Sequence, residues 1–165
     1  MAFITSRGIA DTPGNKFVRE YLVNHADLIS AIRLPDMLFM QTSGIEVGSD
    51  LLIFQKHTHK TVLSQREQLF LQVGREKADA IGTMTEYANK LFTMPKTTLA
   101  TGSRIVQNQY GKYVRKYQWQ GNENAMSQYL AALLKLDFWP IFPQKSFSLG
   151  TDRAANICKC PFSGM

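Results

Sequence analysis

The chain has 165 residues, of which 44% are apolar and 19% charged, so it can bury a core without disulfides or structural metal, and a disordered chain or a disulfide-dense mini-domain is excluded. A formal charge of +6 and a pI near 9.4 suit a polyanionic partner such as DNA without demanding one. No run reaches the roughly 20 apolar residues of a membrane helix, and no membrane partner is expected.

The only cysteines, Cys158 and Cys160, stand two positions apart near the end of the sequence. They cannot frame a disulfide scaffold, and Met1 to Arg7 has no charged region ahead of an apolar segment, so a cytoplasmic protein is expected.

Residues 2 to 5 form the first predicted strand. It begins almost at the first residue, which suggests a chain cut from something larger. Residues 6 to 11 are predicted as a turn. Thr12 stands as the N-cap and Pro13 as the first helical residue of a helix reaching about Asn24. Phe17, Val18, Tyr21 and Leu22 give it an apolar face, with Lys16, Arg19, Glu20 and Asn24 opposite. His25 falls at the helix C-terminus, where a partly protonated ring suits the dipole.

Leu28 to Leu34 is apolar and β-branched enough for a buried strand, stopped by Pro35. Strand, helix and strand together suggest a crossover unit with parallel strands. The spacing predicts irregular chain from Pro35 to Gly48 and a third strand over Ser49 to Lys56. Polar linker fills 57 to 63.

Ser64 with Glu67 three residues on reads as a capping box opening a helix with Leu69, Phe70 and Val73 on one side. A further helix is predicted over Met84 to Phe92, broken by Met94-Pro95. Arg104 to Gln107 and Tyr113 to Trp119 flank a Gly-containing turn and read as a hairpin. Tyr113, Arg115, Tyr117 and Trp119 share one face of its second arm. Asn122 or Asn124 caps an amphipathic helix through Leu136, with Met126, Tyr129, Leu130, Leu133 and Leu134 as its stripe. Residues 144 to 165 read as a loose tail. The resulting organisation is an α/β segment over residues 1–60, a helical and hairpin α+β region over 61–143, and the tail over 144–165.

Chemistry is sparse. The sequence has neither a GxGxxG phosphate loop nor a GxSxG elbow. His57 and His59 make half a metal site at most, as do Cys158 and Cys160, and no metal site is expected. No catalytic residue is expected either. In the hairpin, Arg104, Lys112, Arg115 and Lys116 interleave with Tyr110, Tyr113, Tyr117 and Trp119. Basic groups among aromatics can hold a phosphate backbone and stack bases, or the aromatics can pack inward while the lysines are merely solvated. Thr42 and Ser43 lie in a polar loop that could face the same ligand. These six basic and hydroxyl residues are the candidate DNA contacts.

Ala2 to Gly8, then Lys16 to Asn24, then Ile32-Arg33-Leu34-Pro35 with Phe39, and then Gly44 to Lys56 together resemble the back half of an N6-adenine DNA methyltransferase. The likeness is to the modification-subunit type of restriction–modification systems and to the large methylases of bacterial mobile elements. Residues 112 to 138 continue it weakly. The resemblance implies a partial class I methyltransferase (Rossmann-like) sheet. Phe3-Ile4 would lie on its fifth strand, Ile29 to Leu34 on its sixth, and Leu51 to Gln55 on its antiparallel seventh. It also implies S-adenosylmethionine as cofactor of the intact family. The Gly-rich turn, the acidic residue after the second strand and the Asn-Pro-Pro-Tyr tetrapeptide that grips the flipped adenine have no counterpart in this sequence. The chain alone is therefore expected to bind no cofactor and transfer no methyl group. An exposed sheet edge is expected, covered by a second copy or by a missing N-terminal methyltransferase portion. The alternative is a small DNA-binding or assembly module without enzymatic role.

Overall fold

A computed structural model describes residues 1–77, 85–107, 110–111 and 113–138. Helices and antiparallel strands are mixed along the chain. The central sheet is built from β1 (Ala2–Ser6), β2 (Ala26–Arg33) and β3 (Ser49–Lys56) in the order β1-β3-β2. β3 runs antiparallel to both neighbours. β1 and β2 thus point the same way, as the predicted crossover required, but β3 lies between them and no parallel pair forms in this sheet.

β2 is buried along nearly its whole length, because helices cover both its faces. The register slips between Leu28 and Ser30. One extra residue reverses the alternation, so Leu28 and Ala31, three apart, reach the same side. There they join Leu52 and Phe54 of β3 in a core closed by Val23, Phe70 and Leu91. The opposite side carries Ile32, Leu34 and Leu51, packed with Leu99 and Leu133.

Between β1 and β2 come α1 (Gly8–Asp11), a 3₁₀ turn at Pro13–Asn15, and α2 (Lys16–His25). The segment expected to be a turn is thus a short helix, and Thr12 precedes the 3₁₀ turn with no side-chain capping bond. Of the expected apolar face of α2 only Leu22 packs against the core. Phe17 is 76% exposed and Val18 and Tyr21 also face solvent, whereas Arg19 and Val23 are buried. Arg19 turns inward because its Nη1 donates to the carbonyls of Ile9 and Thr12, both at 2.9 Å. Hydropathy scores Arg19 as polar surface and has no measure for that demand.

The predicted irregular stretch after Pro35 contains a short helix, α3 (Met40–Ser43). Gly44 closes it with φ of +67°, a left-handed turn that glycine adopts without cost. α4 (Gln65–Leu71) begins with the predicted capping box, in which Ser64 and Glu67 bond reciprocally.

Val73, expected on that helix, instead starts β4 (Val73–Lys77), which pairs antiparallel with β5 (Thr85–Asn89). The helix predicted over 84–92 is therefore a strand followed by a 3₁₀ turn at Lys90–Thr93, and Met84 lies outside the described residues. Asn89 fixes the outcome. It is fully buried, and its Nδ2 donates to Ala10 O at 3.0 Å and Phe70 O at 2.7 Å. Its Oδ1 accepts from Leu91 N at 3.0 Å. A continuing helix would leave those carbonyls unpaired.

The predicted hairpin is present as β6 (Gly102–Gln107) and β7 (Tyr113–Gln118). α5 (Glu123–Phe138) follows, with Asn122 Oδ1 accepting from Ala125 N at 2.8 Å. Near its far end Asp137 accepts from Ser30 of β2 at 2.7 Å and from Arg66 of α4 at 2.6 Å. Core residues come from both predicted segments, 1–60 and 61–143. The expected tail, residues 144–165, lies outside the described residues. Among the described residues no helix is long and apolar enough to cross a membrane.

Candidate functional site

Pro35 has no N–H and ends β2, so the chain leaves the sheet there. Asp36 N donates to Tyr117 O of β7 at 3.0 Å, and Val47 N donates to Asp36 O at 3.0 Å. These bonds pin the 36–47 loop beside the hairpin. A cleft of about 630 Å³ opens between that loop, the end of β7 and the start of α5. Met37, Leu38, Met40, Trp119 and Met126 form its apolar wall, and Thr42, Gln118 and Glu123 supply polar groups.

Trp119 is held from two sides. Its ring stacks on Tyr129 with centroids 5.9 Å apart, and its Nε1 donates to Asn122 O at 3.3 Å. Gly121 makes room for it with φ of +152°, since a Cβ there would meet Trp119 Nε1 at 3.1 Å. The cleft thus presents one fixed aromatic face among flexible thioethers, a surface suited to a flat apolar group.

Asp36 begins this loop and is 4% exposed. Its Oδ1 has no hydrogen-bond partner among the described residues. Burial pushes its pKa up, against the opposing charge of Arg7. A carboxyl raised in this way holds its proton longer when folded than when unfolded. The part of the stability that depends on Asp36 is then fully present below the ordinary carboxylate range and is lost as pH rises from the unfolded value through the raised folded one. Asp36→Asn removes that loss. In urea unfolding across a pH series, the variant is expected to gain on the wild type as pH rises through this window, with a constant difference above it. An unchanged difference at every pH contradicts the assignment.

The candidate DNA contacts are distributed as follows. Thr42 lines the cleft, and Thr42 and Ser43 both donate back to Phe39 O, at 3.4 and 2.9 Å. Arg104 is exposed on β6, directly opposite Lys116 in the ladder. Arg115 binds Glu86 through its backbone N at 3.0 Å and its Nε at 3.3 Å. Lys116 pairs with Glu46. Two of the basic residues are therefore already engaged by carboxylates, a pairing between distant segments that sequence spacing does not show. Lys112 lies outside the described residues. Trp119 was legible as a hairpin aromatic. Asp36 was not, because a lone acid after a proline carries no signal of burial.

A second polar centre sits in the core. Arg33 reaches Asp50 at 2.9 Å through Nε and 3.2 Å through Nη2, and Asp11 at 2.9 Å. Its guanidinium lies 4.1 Å from the Phe92 ring centroid and 5.4 Å from that of Tyr117. Burial works against the charge, but Asp50 and Asp11 outweigh it and hold the guanidinium more firmly protonated than usual. Its contacts are all internal, and its part is structural.

His57 and His59 are exposed beyond the end of β3, and α2 ends at His25 as expected. Among the described residues no group of three or more His, Cys, Asp or Glu could hold a metal ion. Cys158 and Cys160 lie outside them. Comparison with protein-family models, curated proteins and solved structures finds no match to the chain.

Proposed function

We propose that this chain is the closing part of a DNA N6-adenine methyltransferase-like protein and transfers no methyl group alone. The observation that carries this reading is the sheet of residues 2–56, in which β3 runs antiparallel to two strands of common direction. The resemblance of Leu51 to Gln55 to an antiparallel final strand implies that reversal. Two exposed surfaces give support. β1 pairs with β3 on one side only among the described residues, and its Phe3 and Ile4 are exposed. α2 exposes Phe17, Val18 and Tyr21. A further portion of such a protein, or a second copy, would cover them.

S-adenosylmethionine finds no fitting cradle in the described cleft. A single glycine, Gly121, stands between strand and helix there, in place of a Gly-rich turn, and a Cβ at that position would meet Trp119 Nε1 at 3.1 Å. Calorimetric titration of the purified chain with S-adenosylmethionine is expected to give no binding heat, and stoichiometric binding defeats the reading.

A second reading, a DNA-contacting module without enzymatic role, is favoured by Trp119 in its Met-lined cleft beside the hairpin. In a gel-shift titration its affinity is expected to fall steeply with salt. Salt-independent binding, or none, removes it.

A further inference from the structure

A second cavity, of about 390 Å³, lies where the first turn of α2 meets the corner between α4 and β4. Three cations line it, Lys16, Arg19 and Lys90, together with Gln72 and apolar neighbours, and among the described residues no carboxylate does. We propose that this cavity binds a phosphate group, carried by a soluble phosphate monoester or by a nucleic-acid backbone. This inference is independent of the methyltransferase reading.

Arg19 is the central observation. It is 1% exposed, and its Nη1 is satisfied by two carbonyls, but its Nε has no partner among the described residues. Those carbonyl bonds offset part of the desolvation and supply no negative charge. Burial pulls its pKa down, against the charges of Asp11 and Glu20. Asp11 is already committed to Arg33 at 2.9 Å, to Arg7 at 3.5 Å and to Asn89 N at 2.9 Å. Glu20 stands beside Lys16 at 3.5 Å on the helix surface. An anion in the cavity would supply the countercharge that this guanidinium lacks.

Lys90 is placed for the same ligand. Its side chain lies across the bare Cα of Gly74, where an added Cβ would come within 2.7 Å of Lys90 Cε and 3.0 Å of Nζ. Its only carboxylate neighbour among the described residues is Glu76, at a loose 3.8 Å. Lys16 opens α2, so the positive end of that helix adds to the field of the three side chains.

The test titrates the full chain with inorganic phosphate, and separately with a short DNA strand lacking terminal phosphates, while following backbone amides by NMR. Chloride at matched ionic strength is the control. Saturable shifts at Lys16, Arg19 and Lys90 are expected. Lys16→Gln with Lys90→Gln, both on the surface, should weaken binding about tenfold or more by removing two charge-assisted contacts. Gly74→Ala changes no charge and should weaken it several-fold by displacing the Lys90 ammonium. Saturation by phosphate alone identifies a soluble phosphate monoester, and the same amides shifting with DNA identifies a backbone phosphate. Shifts that never saturate, that chloride reproduces, or that survive the double substitution overturn the proposal.

Discussion

Asp50→Ala is expected to cost about 3–5 kcal/mol of unfolding free energy, the usual range for leaving a buried charge without its partner. Arg33 would lose its two-pronged carboxylate and keep only Asp11, at 2.9 Å through Nη2. The two side chains are 3% and 1% exposed, so little water can take the place of Asp50. The double change Arg33→Met with Asp50→Leu removes both charges and should recover much of the loss. Urea unfolding of both variants decides the matter. A loss below about 1 kcal/mol for Asp50→Ala is the range of a solvated surface pair and contradicts this account.

Glu67→Ala is expected to be comparably severe, again about 3–5 kcal/mol, because one carboxylate serves three donors. Its Oε1 accepts from Leu28 N at 2.8 Å and from Lys60 Nζ at 2.5 Å, and its Oε2 accepts from Ser64 N at 2.8 Å. Removing it opens the cap of α4, strips an amide of β2 and leaves the ammonium of Lys60, 3% exposed, with Asp27 at 3.0 Å as its remaining carboxylate among the described residues. By contrast, Ser64→Ala loses only the reciprocal capping bond and should cost about 1 kcal/mol. Thermal and urea unfolding of the pair measure the contrast. Equal effects would show that Glu67 acts as a helix cap and nothing more.

The contrast between those two residues shows what sequence can reveal. The Ser64-x-x-Glu67 spacing announces a helix start, and the start is there, but nothing local says that the same carboxylate binds Leu28. Ser49 to Lys56 was legible to the residue because a short apolar run between polar ends is a complete local statement. The hairpin and α5 were legible for similar reasons, from a Gly-containing turn and a repeating apolar stripe. Residues 84–92 misled because the fate of Asn89 depends on carbonyls at residues 10 and 70. Arg19 misled because a carbonyl-seeking guanidinium and a solvated one have the same hydropathy. Of the candidate site, Thr42 and Trp119 were visible in the sequence. The engagement of Arg115 by Glu86 and of Lys116 by Glu46 was not, since each joins segments far apart in the chain.

The surroundings of Arg33 also bear on how the chain acquires its structure. Its companions come from residues 11, 50, 92 and 117, so the guanidinium sheds water favourably only once α1 and β3 have brought their carboxylates to it. Collapse around β2 strips water from the guanidinium at a cost until Asp11 and Asp50 close on it, and the hairpin then adds the Tyr117 ring. Such a clasp is built from contacts distant in the chain, and through Tyr117 it couples the hairpin to the central sheet.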